Sequence, residues 1–245
     1  MKKLCLLLVA VLLLFSCTSC VEQKQDSDAN ANAYALYNGA KQLYVDGYEA
    51  TVSMKMQEGE GEVMSGTLHV KVQGGNAAIT RSNSLAARYL IGEIAYRSGY
   101  FYTENDELQY SDGKIKEKMT LEAFQSDVMS FFGISVFASA FPTFSKEALQ
   151  DTALSELGDY RSFSAELSRE SICTYLGVTS LKEAQGSMAA SFDKNGGMKR
   201  MVLIMHVTYE DGVQRAFELV YDFHRPGSIP AILPPTDANS YLDMT

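Results

Sequence analysis

The sequence predicts an α+β protein, in which a large curved antiparallel β-sheet, or half-barrel, carries helices packed on its concave face. Three observations support this fold class. Apolar and polar residues alternate along several segments, beginning with residues 48–57, and a period of two is typical of strands with one buried face. Short turn signals between these segments favour antiparallel hairpins. Helical spacing of apolar residues is confined to a few segments, the longest of which is 120–137.

The start of the chain predicts a secretory signal at residues 1–16. Lys2 and Lys3 precede an apolar run at residues 4–15. As a helix this run spans about 18 Å, whereas the hydrocarbon core of a bilayer is roughly 30 Å thick. The segment is therefore typical of a signal peptide and not of a permanent membrane span.

The stretch "LFSC", residues 14–17, resembles the lipobox of bacterial lipoproteins, in which the cysteine becomes the lipidated first residue. The resemblance implies acylation of Cys17 by palmitate-type chains. It also implies an extracytoplasmic protein anchored to the cell membrane or envelope. Cys17 and Cys20 spell C-x-x-C as well, but the βαβ unit that surrounds a redox motif is not indicated here.

The rest of the chain divides into a tether, one domain and a tail. Residues 17–32 are polar and predict a lipidated, disordered tether. Residues 33–235 are expected to form a single domain, followed by a C-terminal tail at 236–245. The net charge of −9 argues against nucleic acid as a partner, because phosphate binding needs a basic surface.

Periodicity and turn residues also predict the bounds of the elements. Thr120 is a plausible N-cap for the helix at 120–137, and Gly158 is expected to close another helix at 145–157. The other predicted helices are 33–45 and a short turn at 171–176 before Gly177. The main predicted strands are 48–57, 63–73, 160–167, 187–193, 198–209 and 213–224.

Two long stretches, residues 95–124 and 192–223, resemble the paired hairpins of the LolA/LolB-type lipoprotein family. The order of lipobox, tether, helix, meander, central helices and closing strands is similar too. This resemblance implies a half-open barrel wrapped around helices. It also implies a carrier, receptor or sensor without catalytic residues.

The inward side of the strands and the helix at 120–137 supply the candidate ligand-binding residues. Two alternatives stay open, since the helices either fill the sheet completely or leave an apolar cavity for a lipid. Methionine is unbranched and suits an irregular core as well as an adaptable binding surface. The candidate cavity residues are Met54, Met56, Leu68, Val70, Phe124, Phe131, Phe132, Met201, Leu203, Met205, Phe217 and Leu219.

The expected function is that of a membrane-anchored envelope lipoprotein that binds a lipid or another lipophilic ligand. The alternative is a sensor or protein–protein interaction lipoprotein with a packed core and an envelope protein as its partner. Neither a cofactor nor a metal is expected, because His69, His206 and His224 are not at ligand spacing. An enzyme is not expected either, since no nucleophile is combined with a base.

Three lysines, Lys114, Lys116 and Lys118, alternate along one predicted strand. Two interpretations stay open for them. They contact an acidic partner or a lipid headgroup, or their charge protects the edge of the sheet.

Overall fold

The structure is a computed structural model that describes residues 29–81, 87–98, 101–104, 107–110, 116–120, 122–124, 142–227 and 229–244. The predicted signal at 1–16 and the lipidation candidate Cys17 lie outside the described residues. So do Phe131 and Phe132, with most of the helix predicted at 120–137.

The described residues form two helices of eight residues or more and fourteen strands. The helices are α1 (Ala29–Leu43) and α2 (Arg169–Leu176). The strands are β1 (Tyr48–Glu58), β2 (Val63–Gln73), β3 (Asn76–Arg81), β4 (Ala87–Ile91), β5 (Ile94–Ser98), β6 (Phe101–Glu104), β7 (Glu107–Tyr110), β8 (Lys116–Thr120), β9 (Leu149–Leu157), β10 (Tyr160–Leu167), β11 (Glu183–Phe192), β12 (Met198–Thr208), β13 (Gln214–Pro226) and β14 (Leu242–Asp243).

Twelve of these strands form one open sheet. Its order is β14-β8-β5-β4-β3-β2-β1-β13-β12-β11-β10-β9, and β6 and β7 form a separate hairpin. Every described pair is antiparallel except β14 with β8. The predicted fold class is therefore confirmed, namely an α+β protein with a large, mostly antiparallel sheet and few helices.

Alternation along the strands gives the sheet one apolar face, called the inner face. In β1 the alternate residues Tyr48, Ala50, Val52, Met54 and Met56 are all buried. The residues between them are half-buried or exposed. Because successive side chains of a strand point to opposite faces, this pattern places the core on one side of the sheet.

Gly47 joins α1 to β1 and fixes how close the helix comes to the sheet. Its φ of +145° is a conformation that residues with a side chain rarely adopt. A Cβ atom at this position would lie 2.6 Å from the carbonyl oxygen of Val72. The carbonyl oxygen of Gly47 in turn accepts a hydrogen bond from the N–H of Gly227 at 2.8 Å. The joint therefore needs glycine.

The predicted helical turn before Gly177 is confirmed and extended to eight residues in α2. The Ser168 hydroxyl caps the first turn by accepting a hydrogen bond from the N–H of Ser171 at 3.3 Å. Gly177 ends the helix in the left-handed conformation with φ +68°, as expected for a residue just past a helix terminus.

The helix predicted at 145–157 is wrong. Residues 146–148 form one 3₁₀ turn, and the rest is strand β9, which pairs with β10. Gly158, with φ +58°, belongs to the hairpin turn and not to a helix terminus. The backbone hydrogen bonds offered by β10 outweigh a weak local preference for helix.

The last described segment runs along the ends of β2 and β3 and then joins the sheet. The Gln73 amide donates to the Ile229 carbonyl at 3.1 Å and accepts from the Ile232 N–H at 3.2 Å. Asn76 donates to the Ile232 carbonyl at 3.4 Å. Within the stretch predicted as a tail, 236–245, the strand β14 pairs with β8 at the edge of the sheet.

Candidate ligand-binding face

The inner face contains the predicted cavity residues that the structure describes. Met54, Leu203 and Phe217 are 3%, 0% and 2% exposed, so they face the interior and not solvent. The described candidates belong to one buried hydrophobic cluster: Met54, Met56, Leu68, Val70, Phe124, Met201, Leu203, Met205, Phe217 and Leu219. Their burial in one cluster suits a packed core and a ligand site equally.

Cross-strand pairing arranges four methionines in two adjoining rows of the inner face. Directly opposite residues on antiparallel strands have Cβ atoms about 4.5–5.5 Å apart, so side chains within a row touch. A methionine side chain turns about three bonds and adapts its shape to different apolar neighbours. One row is Met54, Leu219, Leu203 and Met188, and the next is Met56, Phe217 and Met205.

Helix α1 and the turn that follows it, which contains Tyr44, close one end of the inner face. The Tyr44 hydroxyl donates a hydrogen bond to the carbonyl oxygen of Met198. Its ring lies 5.2 Å from that of Phe223 and 5.9 Å from that of Tyr48, measured between centroids. The helix is thus attached to the sheet by aromatic packing and by a hydroxyl that satisfies a backbone carbonyl.

Helix α2 closes the inner face over β11 and β13. A Cβ atom on Gly186 would lie 3.0 Å from Cδ1 of Ile172, so this glycine lets α2 approach the sheet closely. The hydroxyls of Tyr175 and Tyr221 lie 2.6 Å apart in a hydrogen bond. The Tyr175 ring also stacks on Phe144 at 5.9 Å. These contacts define the helix-covered half, which consists of β9 to β13 with α1 and α2.

Burial shifts the pKa of three tyrosines in and near α1. It raises the pKa of the Tyr44 phenol to about 12. It also raises the pKa of Tyr37 and of Tyr48 well above the ordinary value, because a phenolate would lose its hydration there. At neutral pH these hydroxyls act as hydrogen-bond donors and not as bases.

The other half of the inner face is built by β2, β3, β4, β5 and β8, here called the β2–β8 half. The Thr120 hydroxyl accepts a hydrogen bond from the N–H of Ala123 at 3.3 Å, as expected for the predicted N-cap. Phe124 follows and is fully buried. The buried apolar residues of this half are Leu68, Val70, Ala77, Ile79, Leu90, Ala95 and Met119.

A buried ion pair interrupts the apolar surface of the β2–β8 half. Arg97 on β5 and Glu117 on β8 face each other in the strand register, and the guanidinium donates to the carboxylate. They are 6% and 7% exposed, and within the described ranges they are the buried charged residues. They share the inward phase of Ala95 and Met119, which lie two residues away on the same strands.

Alternation along the sequence did not predict this pair. Ile94 and Tyr96 are the larger apolar residues of β5, so a period of two assigns them to the inner face and Arg97 to the outer face. The structure has the opposite phase, because Ala95 and Arg97 are buried and Ile94 is 42% exposed.

The opposite face of the sheet is polar and carries ion pairs. Lys55 Nζ lies 3.1 Å from Glu218 Oε1, and an Arg200 nitrogen lies 3.5 Å from Asp222 Oδ1. These four side chains line a shallow hollow together with Ser53 and Val220, so Val220 alone among the six is apolar. His69 and His206 are exposed.

The described residues contain neither a metal-binding cluster nor a helix that could span a membrane. No three His, Cys, Asp or Glu residues among the described ones lie in an arrangement that could hold a metal ion. No helix within the described ranges is long and apolar enough to cross a bilayer. Cys173 of α2 carries a free thiol.

Comparison with known proteins gives matches among solved structures alone. No protein-family model matches the chain, and no curated protein does. The chain is similar to a LolA superfamily protein from Nitrosomonas europaea, with 11% identity and a TM-score of 0.33 over 82% of this chain and 94% of that chain. It is also similar to a DUF1329 family protein from Desulfovibrio piger, with 10% identity and a TM-score of 0.24 over 82% and 93%. The first belongs to the superfamily that the sequence resembles, while the fold itself is established by the strand order of this chain.

Proposed function

We propose that this protein is a lipid-anchored envelope protein that holds a lipid or another lipophilic molecule against the inner face of its sheet. The observation that carries the proposal is the continuous buried apolar surface that runs from Met54 and Met56 on β1 to Leu68, Val70 and Ile79 of the β2–β8 half. Flexible thioether side chains suit an apolar ligand whose shape varies, such as an acyl chain.

The ion pair between Arg97 and Glu117 supports an amphiphilic ligand. A buried ion pair adds little net stability compared with apolar residues of similar size, so stability alone is a weak reason for its position. The guanidinium presents several donors that a phosphate, carboxylate or ester oxygen can accept from. An acyl chain would lie along the apolar face with its polar end at this pair.

A lipidated Cys17 would hold the domain at a membrane surface. Two or more acyl chains give a stable anchor without a membrane-spanning segment, because each buried CH₂ group contributes about 0.8 kcal/mol. The polar segment between Cys17 and the start of α1 at Ala29 would separate the folded part from the bilayer.

The second candidate is a sensor or interaction protein with a fully packed core. The helix-covered half favours it, because the contacts of Tyr44 with Met198 and of Tyr175 with Tyr221 and Phe144 attach the helices to the sheet there. The two candidates differ in what occupies the β2–β8 half, and that difference can be measured.

The first experiment compares two neighbouring alanines on β3. Ala77 is buried on the inner face, whereas Ala78 is half-buried on the opposite face. The chain is purified from the envelope and analysed by native mass spectrometry for lipid that is not covalently bound. We expect the unaltered chain and Ala78→Phe to retain lipid and Ala77→Phe to lose most of it. Lipid-free protein in repeated preparations, or equal retention by both variants, contradicts the ligand site.

The second experiment tests the anchor with matched cysteine variants. Cells are labelled with a palmitate analogue and fractionated. Cys17→Ser is expected to lose the label and leave the membrane fraction, while Cys20→Ser keeps both. Labelled Cys17→Ser protein would show that the wrong cysteine is assigned.

A further inference from the structure

The edge strand β8 is covered by residues 237–244, here called the C-terminal segment. Leu242 lies beside Glu117 and Asp243 beside Lys118 in the parallel pairing of β14 with β8. The N–H of Met244 donates to the carbonyl oxygen of Lys118 at 2.9 Å. The pairing involves two of the five residues of β8, so a longer strand would find further backbone groups along the same edge.

The charges of the C-terminal segment match those of β8. Lys116 forms an ion pair with Asp237, and the Nζ atom of Lys118 lies 3.0 Å from Oδ2 of Asp243. The two lysines that the structure describes therefore bind an acidic segment of the same chain. Lys114 lies outside the described residues.

An aromatic ring lies between the two acidic residues of the segment. Tyr241 is buried, meets the Tyr96 ring edge-on at 5.6 Å, and lies with its centroid 5.9 Å from the Lys116 ammonium. The edge of β8 therefore recognises the pattern acid-x-x-x-aromatic-x-acid, in which a short turn precedes a strand.

Tyr241 is the one buried residue of the C-terminal segment, and the two ion pairs on either side of it are exposed. The carboxyl side chains of Asp237 and Asp243 are 47% and 56% exposed, and exposed ion pairs contribute little to stability. Ile229 and Ile232, in contrast, are buried and bonded to Gln73. The segment can therefore leave β8 while the preceding residues stay attached.

We propose that the β8 edge is a strand-docking site for another protein, and that the C-terminal segment occupies it until such a partner arrives. The partner would present two carboxylates and an aromatic ring at the spacing of Asp237, Tyr241 and Asp243, followed by further extended residues. Because a longer strand can pair with all five residues of β8, it gains backbone hydrogen bonds that β14 does not make. This proposal does not depend on lipid binding.

The first test measures recognition at the lysines. The probe is a fluorescein-labelled peptide with the sequence of residues 236–245, and binding is followed by fluorescence anisotropy. The receptor is the full chain with Asp237→Asn and Asp243→Asn, which weakens its own segment. We expect the peptide to bind this receptor about tenfold more tightly than a receptor that also carries Lys116→Gln and Lys118→Gln, since the two ion pairs are lost. Equal affinity for the two receptors overturns the proposal.

The second test distinguishes a docking site from a simple cover for the edge. A peptide extended by three β-branched residues beyond Thr245 is compared with the shorter peptide on the unaltered chain. The longer peptide is expected to bind about tenfold more tightly, because it pairs with more of β8 and competes with the attached segment. If the extension adds no affinity, β8 accepts the chain's own segment alone and the proposal fails.

A third measurement needs no variant of the chain. A peptide with a photoreactive phenylalanine at the position of Tyr241 is irradiated in excess with the unaltered protein. Crosslinks to Tyr96 and the neighbouring residues of β5 and β8 support the site, and crosslinks elsewhere overturn it.

The remaining alternative occupant is the segment of a second copy. A dimer of the unaltered chain in light scattering that disappears with Lys116→Gln and Lys118→Gln would identify exchange between copies and overturn the assignment to a different protein.

Discussion

The two halves of the inner face are buried in different ways. In the helix-covered half, the polar atoms are tyrosine hydroxyls, and Tyr44 and Tyr175 bond to Met198 and Tyr221. In the β2–β8 half, the polar atoms belong to a fully charged pair on two neighbouring strands. The comparison teaches that hydroxyls attach helices to the sheet in one half. In the other half, a charged pair joins two neighbouring strands beneath the apolar surface.

The largest effect on stability is expected from a substitution that breaks the charged pair of the β2–β8 half. Arg97→Met leaves the buried carboxylate of Glu117 without this cation and should destabilise the protein by about 3–5 kcal/mol in urea unfolding. The double variant Arg97→Met, Glu117→Leu should recover most of that loss, because neither charge remains buried.

The double variant also sharpens the comparison between the halves. If the pair holds a ligand, the double variant is stable but carries less lipid than the unaltered chain. A stable double variant with unchanged lipid would contradict the role given to the pair.

The next largest effect is expected when a larger side chain is introduced into the core of each half and the loss of stability is compared. Ala190 on β11 lies between Phe163 and Met201 in the helix-covered half, and Ala190→Leu should cost about 1–3 kcal/mol through overpacking. Ala95→Leu in the β2–β8 half should cost less than about 1 kcal/mol if space for a ligand lies above it. Equal losses in thermal or urea unfolding would favour the packed-core alternative.

A smaller effect is expected from one hydroxyl of the helix-covered half. Tyr44→Phe removes the hydrogen bond to the Met198 carbonyl and should lower the free energy of unfolding by about 0.5–1.5 kcal/mol. Tyr160→Phe is the control, since this side chain is 65% exposed and its loss should change stability by less than about 0.5 kcal/mol. A neutral Tyr44→Phe would show that ring packing alone attaches α1.

The smallest effect concerns the edge of the β2–β8 half and its dependence on pH. The hydrogen bond from Lys116 lowers the pKa of Asp237, and the same contact raises the pKa of Lys116. Because the pKa of Asp237 is lowered in the attached state, its carboxylate stabilises the attachment at pH values above the ordinary carboxyl pKa of about 3.9. This stabilisation is lost as the pH falls through the lowered pKa of the folded state. The raised pKa of Lys116 acts in the opposite sense, so its contribution is present below about 10.4 and lost as pH rises through the folded value.

The Met244 methyl signal in NMR reports this attachment. It should stay constant near neutral pH and move at both extremes. The double variant Asp237→Asn, Asp243→Asn should remove the acid transition, because both ion pairs of the segment lose their carboxylate. A transition that persists unchanged in this variant would assign it to another group.

Period-two patterns predicted much of the sheet, because a strand with one buried face alternates apolar and polar residues along the sequence. The predicted bounds 63–73 and 160–167 coincide with β2 and β10. The inward residues followed from the same period, which is why the described cavity candidates form one buried cluster.

Segment 145–157 shows where local reasoning ends. A glycine with positive φ suits both a helix terminus and a hairpin turn, so Gly158 did not discriminate between them. The deciding interaction is the pairing of β9 with β10, together with a bulge at Asp151, whose φ is +44°. The N–H of Thr152 there donates to the Asn30 side chain of α1 at 3.1 Å, a contact between residues far apart in sequence.

The two charged features of β8 were harder to predict for separate reasons. The pair of Arg97 and Glu117 contradicts the rule that alternation assigns charges to the outer face. Strand β14 has two residues, which is too short for any period to be visible. Both features depend on which strands become neighbours in the folded sheet, and the pattern within a single strand does not specify its neighbour.

The first long strand of the sheet pairs with the last long one, since Tyr48 faces Pro226 and Glu58 faces Arg215. The centre of the sheet therefore cannot close until nearly the whole chain has been synthesised. Contacts between residues so distant in sequence slow folding, because the loop between them must be ordered first. A polypeptide of this design therefore keeps its two central strands apart for most of the time that the ribosome is making it.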